Sequence, residues 1–202
     1  MSVTGTRAQA GEPRPMRADA QRNYARLLEA ASGAFAEHGA DDVSLEEIAR
    51  RASVGIGTLY RHFPTRQALL EAVYIDQVES LSARARELLR AESPADALAE
   101  WLRARVKFSS TKRNMTTALL ATIGTDSELL SSCVKEIKGA AESLLARAQQ
   151  AGVVRPDADA KDLIRLVHAV NIATEKTPDP GQADRMLALI LDGLRPQPDA
   201  SG

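Results

Sequence analysis

Residues Ser53 to Arg66 read SVGIGTLYRHFPTR, a short run that combines two glycines, hydroxyl and aromatic side chains and two arginines. Two roles compete for such a segment: cradling the phosphate of a cofactor, or lying against the phosphates of DNA. Gly55-x-Gly57 opens like a dinucleotide loop, but the third glycine of G-x-G-x-x-G falls on Tyr60, no strand precedes it, and no parallel-sheet unit surrounds it. A Walker loop would need Gly-Lys-Ser/Thr, which is absent. Two short helices joined by a tight, glycine-containing turn describe the segment better, and that is a helix-turn-helix.

The flanks agree. Ser44-Leu45-Glu46-Glu47 is a capping box, with the Ser44 hydroxyl serving the backbone of Glu47 and the Glu47 carboxylate reaching back. Leu45, Ile48, Ala49 and Ala52 then stripe a helix of about two turns that Ser53-Val54-Gly55 interrupts. The next helix runs from about Ile56 to Phe63 and stops because Pro64 drives the residue before it out of the helical region. Val54, Leu59 and Phe63 are spaced to pack inward, which leaves Ile56, Gly57, Thr58, Tyr60, Arg61 and His62 outward or at the margin. That outward set suits a DNA groove. Thr58 offers a phosphate bond or contact with a thymine methyl, Tyr60 joins a flat apolar ring to a hydroxyl donor, and Gly57 allows close backbone approach. Ser44 and Thr65 fall at helix N-termini, whose free N–H groups suit phosphate oxygens, and Arg66 adds charge beside them. From Ile48 to Leu70 the chain carries Arg50, Arg51, Arg61 and Arg66 and no acid, so a local positive face is expected.

Outward from this core the chain reads as helix. Asp19 is an expected N-cap, and Tyr24, Leu27, Leu28, Ala31, Ala34 and Phe35 repeat at helical spacing up to Gly39. Thr65 caps a fourth helix reaching about Arg90, and further helices are expected at about 94–110, 112–123, 126–151, 159–176 and 181–194. With no convincing strand, the fold class is all-α with about nine helices. The expected division is a disordered arm over 1–17, a helix-turn-helix domain over 18–66, a larger helical domain over 67–195 and a disordered tail over 196–202.

The 202 residues carry a net charge of -1, with 44% hydrophobic and 26% charged, the balance of an ordinary globular protein. No apolar run reaches the ~20 residues of a membrane span, and the N-terminal stretch lacks the apolar core of a secretory signal, so a cytoplasmic location is expected. Cys133, the single cysteine, forms neither an internal disulfide nor a zinc site. His38, His62 and His168 are widely separated, and no Glu-x-x-His pair or nucleophile elbow occurs. No enzymatic activity, cofactor or metal is therefore expected; the rival readings are a helical-bundle enzyme and a protein-interaction adaptor that has lost DNA binding.

From Arg22 to Tyr74 the sequence resembles the DNA-binding domain of the TetR/AcrR family of transcriptional regulators. Leu27-Leu28-Glu29-Ala30-Ala31 through Phe35 and Gly39, then Ser44 to Ala49, Thr58 to Phe63 and Leu69 to Val73 carry the likeness. The resemblance departs at Pro64-Thr65-Arg66, where such proteins often have Lys or Asp-Lys. It implies a homodimer that places the second helix of each motif in the major groove of a palindromic operator, usually as a repressor released by a small-molecule effector. Ser44, Ile56, Gly57, Thr58, Tyr60, His62 and Arg66 are the implied DNA contacts.

Beyond about residue 80 the likeness fades. Asp162 to Thr174 is apolar over most of its circumference, and with Met186, Leu187, Leu189, Ile190, Leu191 and Leu194 it forms the expected dimer surface. An effector pocket is expected between the fourth and eighth helices, lined by Trp101, Phe108, Met115, Leu119 and Ile123 with His168 and Asn171 as polar groups. The fourth helix, reaching from one domain into the other, is the expected route of coupling.

Overall fold

The computed structural model describes residues 15–40, 42–110, 119, 127–174, 179 and 181–196. Eight helices are resolved among them, with no strand: α1 (Pro15–His38), α2 (Leu45–Arg51), α3 (Ile56–His62), α4 (Arg66–Leu88), α5 (Pro94–Ser110), α6 (Glu128–Gln150), α7 (Ala160–Thr174) and α8 (Gln182–Gly193). The helix expected at 112–123 lies outside the described residues except for Leu119, which is helical and fully buried.

Most helix ends follow from local chemistry. Ser44 Oγ accepts from Glu47 N at 3.1 Å, and Thr65 Oγ1 accepts from Ala68 N at 3.1 Å, so both N-caps form as expected. Phe63 sits at φ -131°, ψ 90°, the extended conformation that Pro64 demands. Two boundaries and one cap differ. Helix α1 starts at Pro15, where proline's missing N–H costs nothing; Asp19 lies inside it, paired with Arg22 one turn on. Helix α4 ends at Leu88, short of Arg90, because the chain tightens there through Arg90 N to Glu87 O and Ala91 N to Leu88 O. The capping box is only half made, since the Glu47 carboxylate turns to Arg50 and Arg51 instead of the backbone.

The turn between α2 and α3 also differs in its chemistry. Gly55 sits at φ -63°, a conformation open to any residue; the left-handed position is Ser53, at φ 51°. Ser53 N donates to Arg50 O and Val54 N to Ala49 O, which closes α2 with the paired bonds of a Schellman motif around a serine where glycine is usual. Gly152, at φ 68°, makes the same closure after α6 with the usual residue.

Helix α4 joins the two halves. Its first turns pack on α1 and its length on α5 and α6, so one continuous core runs from Leu27, Ile48, Leu59 and Leu69 to Trp101, Leu102, Leu144 and Leu187. The Trp101 indole donates to Leu81 O at 3.1 Å, satisfying the one polar atom of the largest buried side chain. An arginine fastens α4 at each end. Arg66 donates from both terminal nitrogens to the carbonyls of Ala40 and Val43, in the segment between α1 and α2; Arg147 of α6 donates to Leu88 O and Ala91 O.

Candidate nucleic-acid interface and effector cavity

Helix α3 is held from behind and open in front. Leu59 is fully buried and Phe63 nearly so, while the Tyr24 ring of α1 lies 5.2 Å from Phe63 and 5.8 Å from His62. These contacts fix how α3 presents its other side. There Ile56 and Tyr60, one turn apart, are 38% and 45% exposed, with Gly57 and Arg61 exposed beside them and Thr58 half-buried at the edge. A Cβ on Gly57 would meet nothing within the protein, so its own fold does not require glycine there, although glycine costs helix stability.

The implied DNA contacts separate into two groups. Ile56, Gly57, Tyr60 and the rim residue Thr58 share the open face, and Ser44 stands exposed with its hydroxyl proton free, because the oxygen acts only as acceptor in the cap. His62 and Arg66 belong instead to the support: His62 closes the Tyr24–Phe63 aromatic cluster, and the Arg66 guanidinium is engaged by two backbone carbonyls.

The positive face is smaller than the linear charge pattern suggests. Arg50 and Arg51 both bind the Glu47 carboxylate, and Arg51 reaches Glu37 Oε2 of α1 at 2.6 Å and His38 Nε2 at 3.2 Å. The hydrogen bond from Arg51 holds each carboxyl below the usual range, with a second from Arg50 acting on Glu47. Arg61 is then the cation of this stretch with neither an ion pair nor a hydrogen bond among the described residues, whereas Arg66 bonds only neutral carbonyls.

In the larger domain the expected pocket residues do not converge. Trp101 and Leu119 are core. Asn171 is buried, with its Nδ2 donating to Val167 O at 3.0 Å. His168 is exposed on the outside of α7, and Met115 and Ile123 lie outside the described residues. Phe108 is half-buried, 6.4 Å from the Tyr74 ring, with the Arg105 guanidinium 5.2 Å above its own ring.

A cavity lies between α4, α5, α6 and α7. It measures about 320 Å³ and is lined by Tyr74, Arg105, Val134, Ile137, Lys138, Lys161, Ile164 and Arg165. Burial pushes the Tyr74 hydroxyl above its usual range and the Arg105 guanidinium below its own. The sequence carried a signal for this site: Arg105 falls one turn after Trp101, on the stripe that Leu98, Trp101, Leu102 and Val106 otherwise keep apolar.

The fold has known counterparts. Residues 27–73 match the sequence model for bacterial regulatory proteins of the tetR family, and residues 93–196 match that for the transcriptional regulator SbtR-like C-terminal domain. A crystal structure of a TetR transcriptional regulator from Streptomyces coelicolor is 36% identical, covers 86% of this chain and 99% of its own, and superposes with a TM-score of 0.78. A TetR transcription regulatory protein from Mycobacterium vanbaalenii is 39% identical over 90% of this chain and 99% of its own, with a TM-score of 0.72. Among curated relatives, the HTH-type transcriptional regulator UidR of Escherichia coli is 36% identical over 72 residues. That match takes in 36% of this chain and 37% of the relative, so the chain spans little more than a third of its length. With both halves matched by models of one kind, and whole-chain likeness to solved members, the chain belongs to the TetR family of bacterial regulatory proteins.

Proposed function

We propose that the chain is a ligand-responsive, DNA-binding transcriptional regulator: a repressor that holds a palindromic operator as a homodimer and leaves it when a small molecule binds. The observation that carries this reading is the outward face of α3. Ile56, Gly57, Tyr60 and Arg61 are exposed on a helix whose back is fixed by Leu59, Phe63 and the Tyr24 ring, and a flat, mixed apolar and polar surface with a free cation suits the major groove.

The dimer has its own support. Leu166 and Ile172 of α7 and Leu189 of α8 stand 46%, 54% and 73% exposed, with Ala169, Ala173 and Ala188 also exposed on the same two helices. Two copies that pair this surface through a two-fold axis would bury it in a four-helix bundle.

Release follows from the position of Tyr74. It lines the cavity and lies eight residues along α4 from Arg66, a rise of about 12 Å at ~1.5 Å per residue. A ligand that displaces Tyr74 moves the helix whose first residue holds the segment between α1 and α2. The spacing of the two α3 helices in the dimer then departs from the ~34–36 Å that successive major grooves require.

Selection of bound duplexes from a random DNA pool tests this reading. Enrichment of a palindrome supports it, and Tyr60→Ala should weaken binding to the winner by about 1 to 3 kcal/mol while leaving the melting temperature and dimer unchanged. A pool that shows no enrichment, or a Tyr60→Ala protein that binds as before, contradicts it.

A further inference from the structure

The cavity between α4, α5, α6 and α7 has an uneven distribution of charge. Among the described residues that line it none is acidic, and four are cationic: Arg105, Lys138, Lys161 and Arg165. Three belong to the rim. Lys138 lies 3.2 Å from Glu142 and Arg165 lies 3.5 Å from Asp162, both among exposed side chains; Lys161 is exposed and pairs with no acid among the described residues.

Arg105 is different. Its Nε and Nη1 atoms are out of contact with water and have no hydrogen-bond partner among the described residues, and its guanidinium lies 5.2 Å from the Phe108 ring centre. Leaving donors of a cation dry and unmatched is costly, and such groups in native proteins nearly always find an acceptor. The guanidinium fork fits the two oxygens of a carboxylate, or two of a phosphate, with parallel bonds. Val134, Ile137 and Ile164 supply an apolar wall beside it.

We infer that the effector is a small organic anion, with a carboxylate or phosphate head seated on Arg105 and a short apolar body against Val134, Ile137 and Ile164. The rim cations draw it in, while Arg105 holds it. A neutral ligand of the same shape leaves Arg105 unmatched, and a cationic one is repelled. The volume, about 320 Å³, is at the low end of the ~300–1,000 Å³ usual for ligand sites and excludes a large polyanion. For its regulatory consequence this inference rests on the proposed function above; the anion site itself does not.

The test is calorimetric titration of the purified full-length protein, without DNA, with octanoate, octyl phosphate, 1-octanol and octylamine. Octanoate or octyl phosphate should bind about 10- to 100-fold more tightly than 1-octanol, the worth of one charge-assisted hydrogen bond. The tighter of the two identifies the head group as carboxylate or phosphate. Arg105→Met should remove that preference. Should Arg105→Met fail to fold, Val134→Glu serves instead: Val134 is 61% exposed at the cavity, so an acid there leaves the fold intact and weakens the anion more than the alcohol. Equal binding of alcohol and anions, no binding of either anion, or a preference that survives these substitutions overturns the inference. Anion binding by a protein that selects no DNA would leave the site standing and remove the regulatory reading; DNA selection without anion binding would do the reverse.

Discussion

Arg66 and Arg105 sit on consecutive helices of one chain, and their guanidinium groups meet opposite surroundings. At the junction of α1, α2 and α4, Arg66 is matched by the carbonyls of Ala40 and Val43, so its charge is used up in holding the DNA-binding half together. At the cavity, Arg105 keeps two dry donors that no group among the described residues accepts. On the reading proposed above, the partly buried Arg66 serves the fold and Arg105 serves a ligand. The junction is then complete as built, while the cavity awaits a partner.

Stability measurements separate the two sites. Arg66→Met leaves two carbonyls without their charged donor and should cost about 2 to 4 kcal/mol in urea unfolding. A loss under about 0.5 kcal/mol would mean that these bonds contribute nothing and would break the comparison. Arg105→Met should act in the opposite direction. Replacing an unmatched, desolvated charge with an apolar chain of similar length should stabilise the ligand-free protein by about 1 to 2 kcal/mol.

Smaller effects refine the contrast at the helix-turn-helix itself. Ser53→Gly relieves a left-handed serine and should raise stability by about 0.5 to 1 kcal/mol, the left-handed cost less the added freedom of the unfolded chain; an unchanged or lowered midpoint would show that the turn carries no strain. The smallest effect concerns Glu37 and Glu47. Both have folded pKa values below their usual 4.5, so the stability they contribute is present above that value and lost as pH falls through the lower folded values. Glu47→Gln should therefore flatten the acid limb of the stability profile, and an identical acid limb would show that these exposed pairs do not matter.

The helix-turn-helix was largely readable from sequence because its signals are local. Ser44 and Thr65 cap, Pro64 stops α3, and Leu59 and Phe63 face inward as their spacing requires. What escaped were pairings between segments. The acid-free run from Ile48 to Leu70 looked positive, yet Glu37 and Glu47 lie just outside that window: Glu47 reaches Arg51 along α2, and Glu37 reaches it across the α1–α2 contact. Gly55 looked like the turn residue, but the hydrogen bonds that close α2 place the left-handed position at Ser53. The cavity was hidden for a related reason. Apolar residues such as Trp101 and Leu119 fit pocket and core equally well on sequence, and the tertiary packing assigned both to core. His168, one of the two polar groups expected inside, turns outward on α7, while the cavity takes polar groups that include Tyr74 and Arg105, an arginine within an apolar stripe.

On the proposed function, α3 lies on DNA with Arg61 against phosphate and Arg66 held back in the support. Salt titration of binding to the selected duplex tests it most directly. The logarithm of affinity should fall with the logarithm of salt concentration at a slope of about -4 or steeper, as counterions leave neutralised phosphates. Arg61→Gln should make that slope shallower by about 0.9 for each phosphate that the side chain no longer neutralises. A flat dependence, or a slope that Arg61→Gln leaves unchanged, would contradict the account.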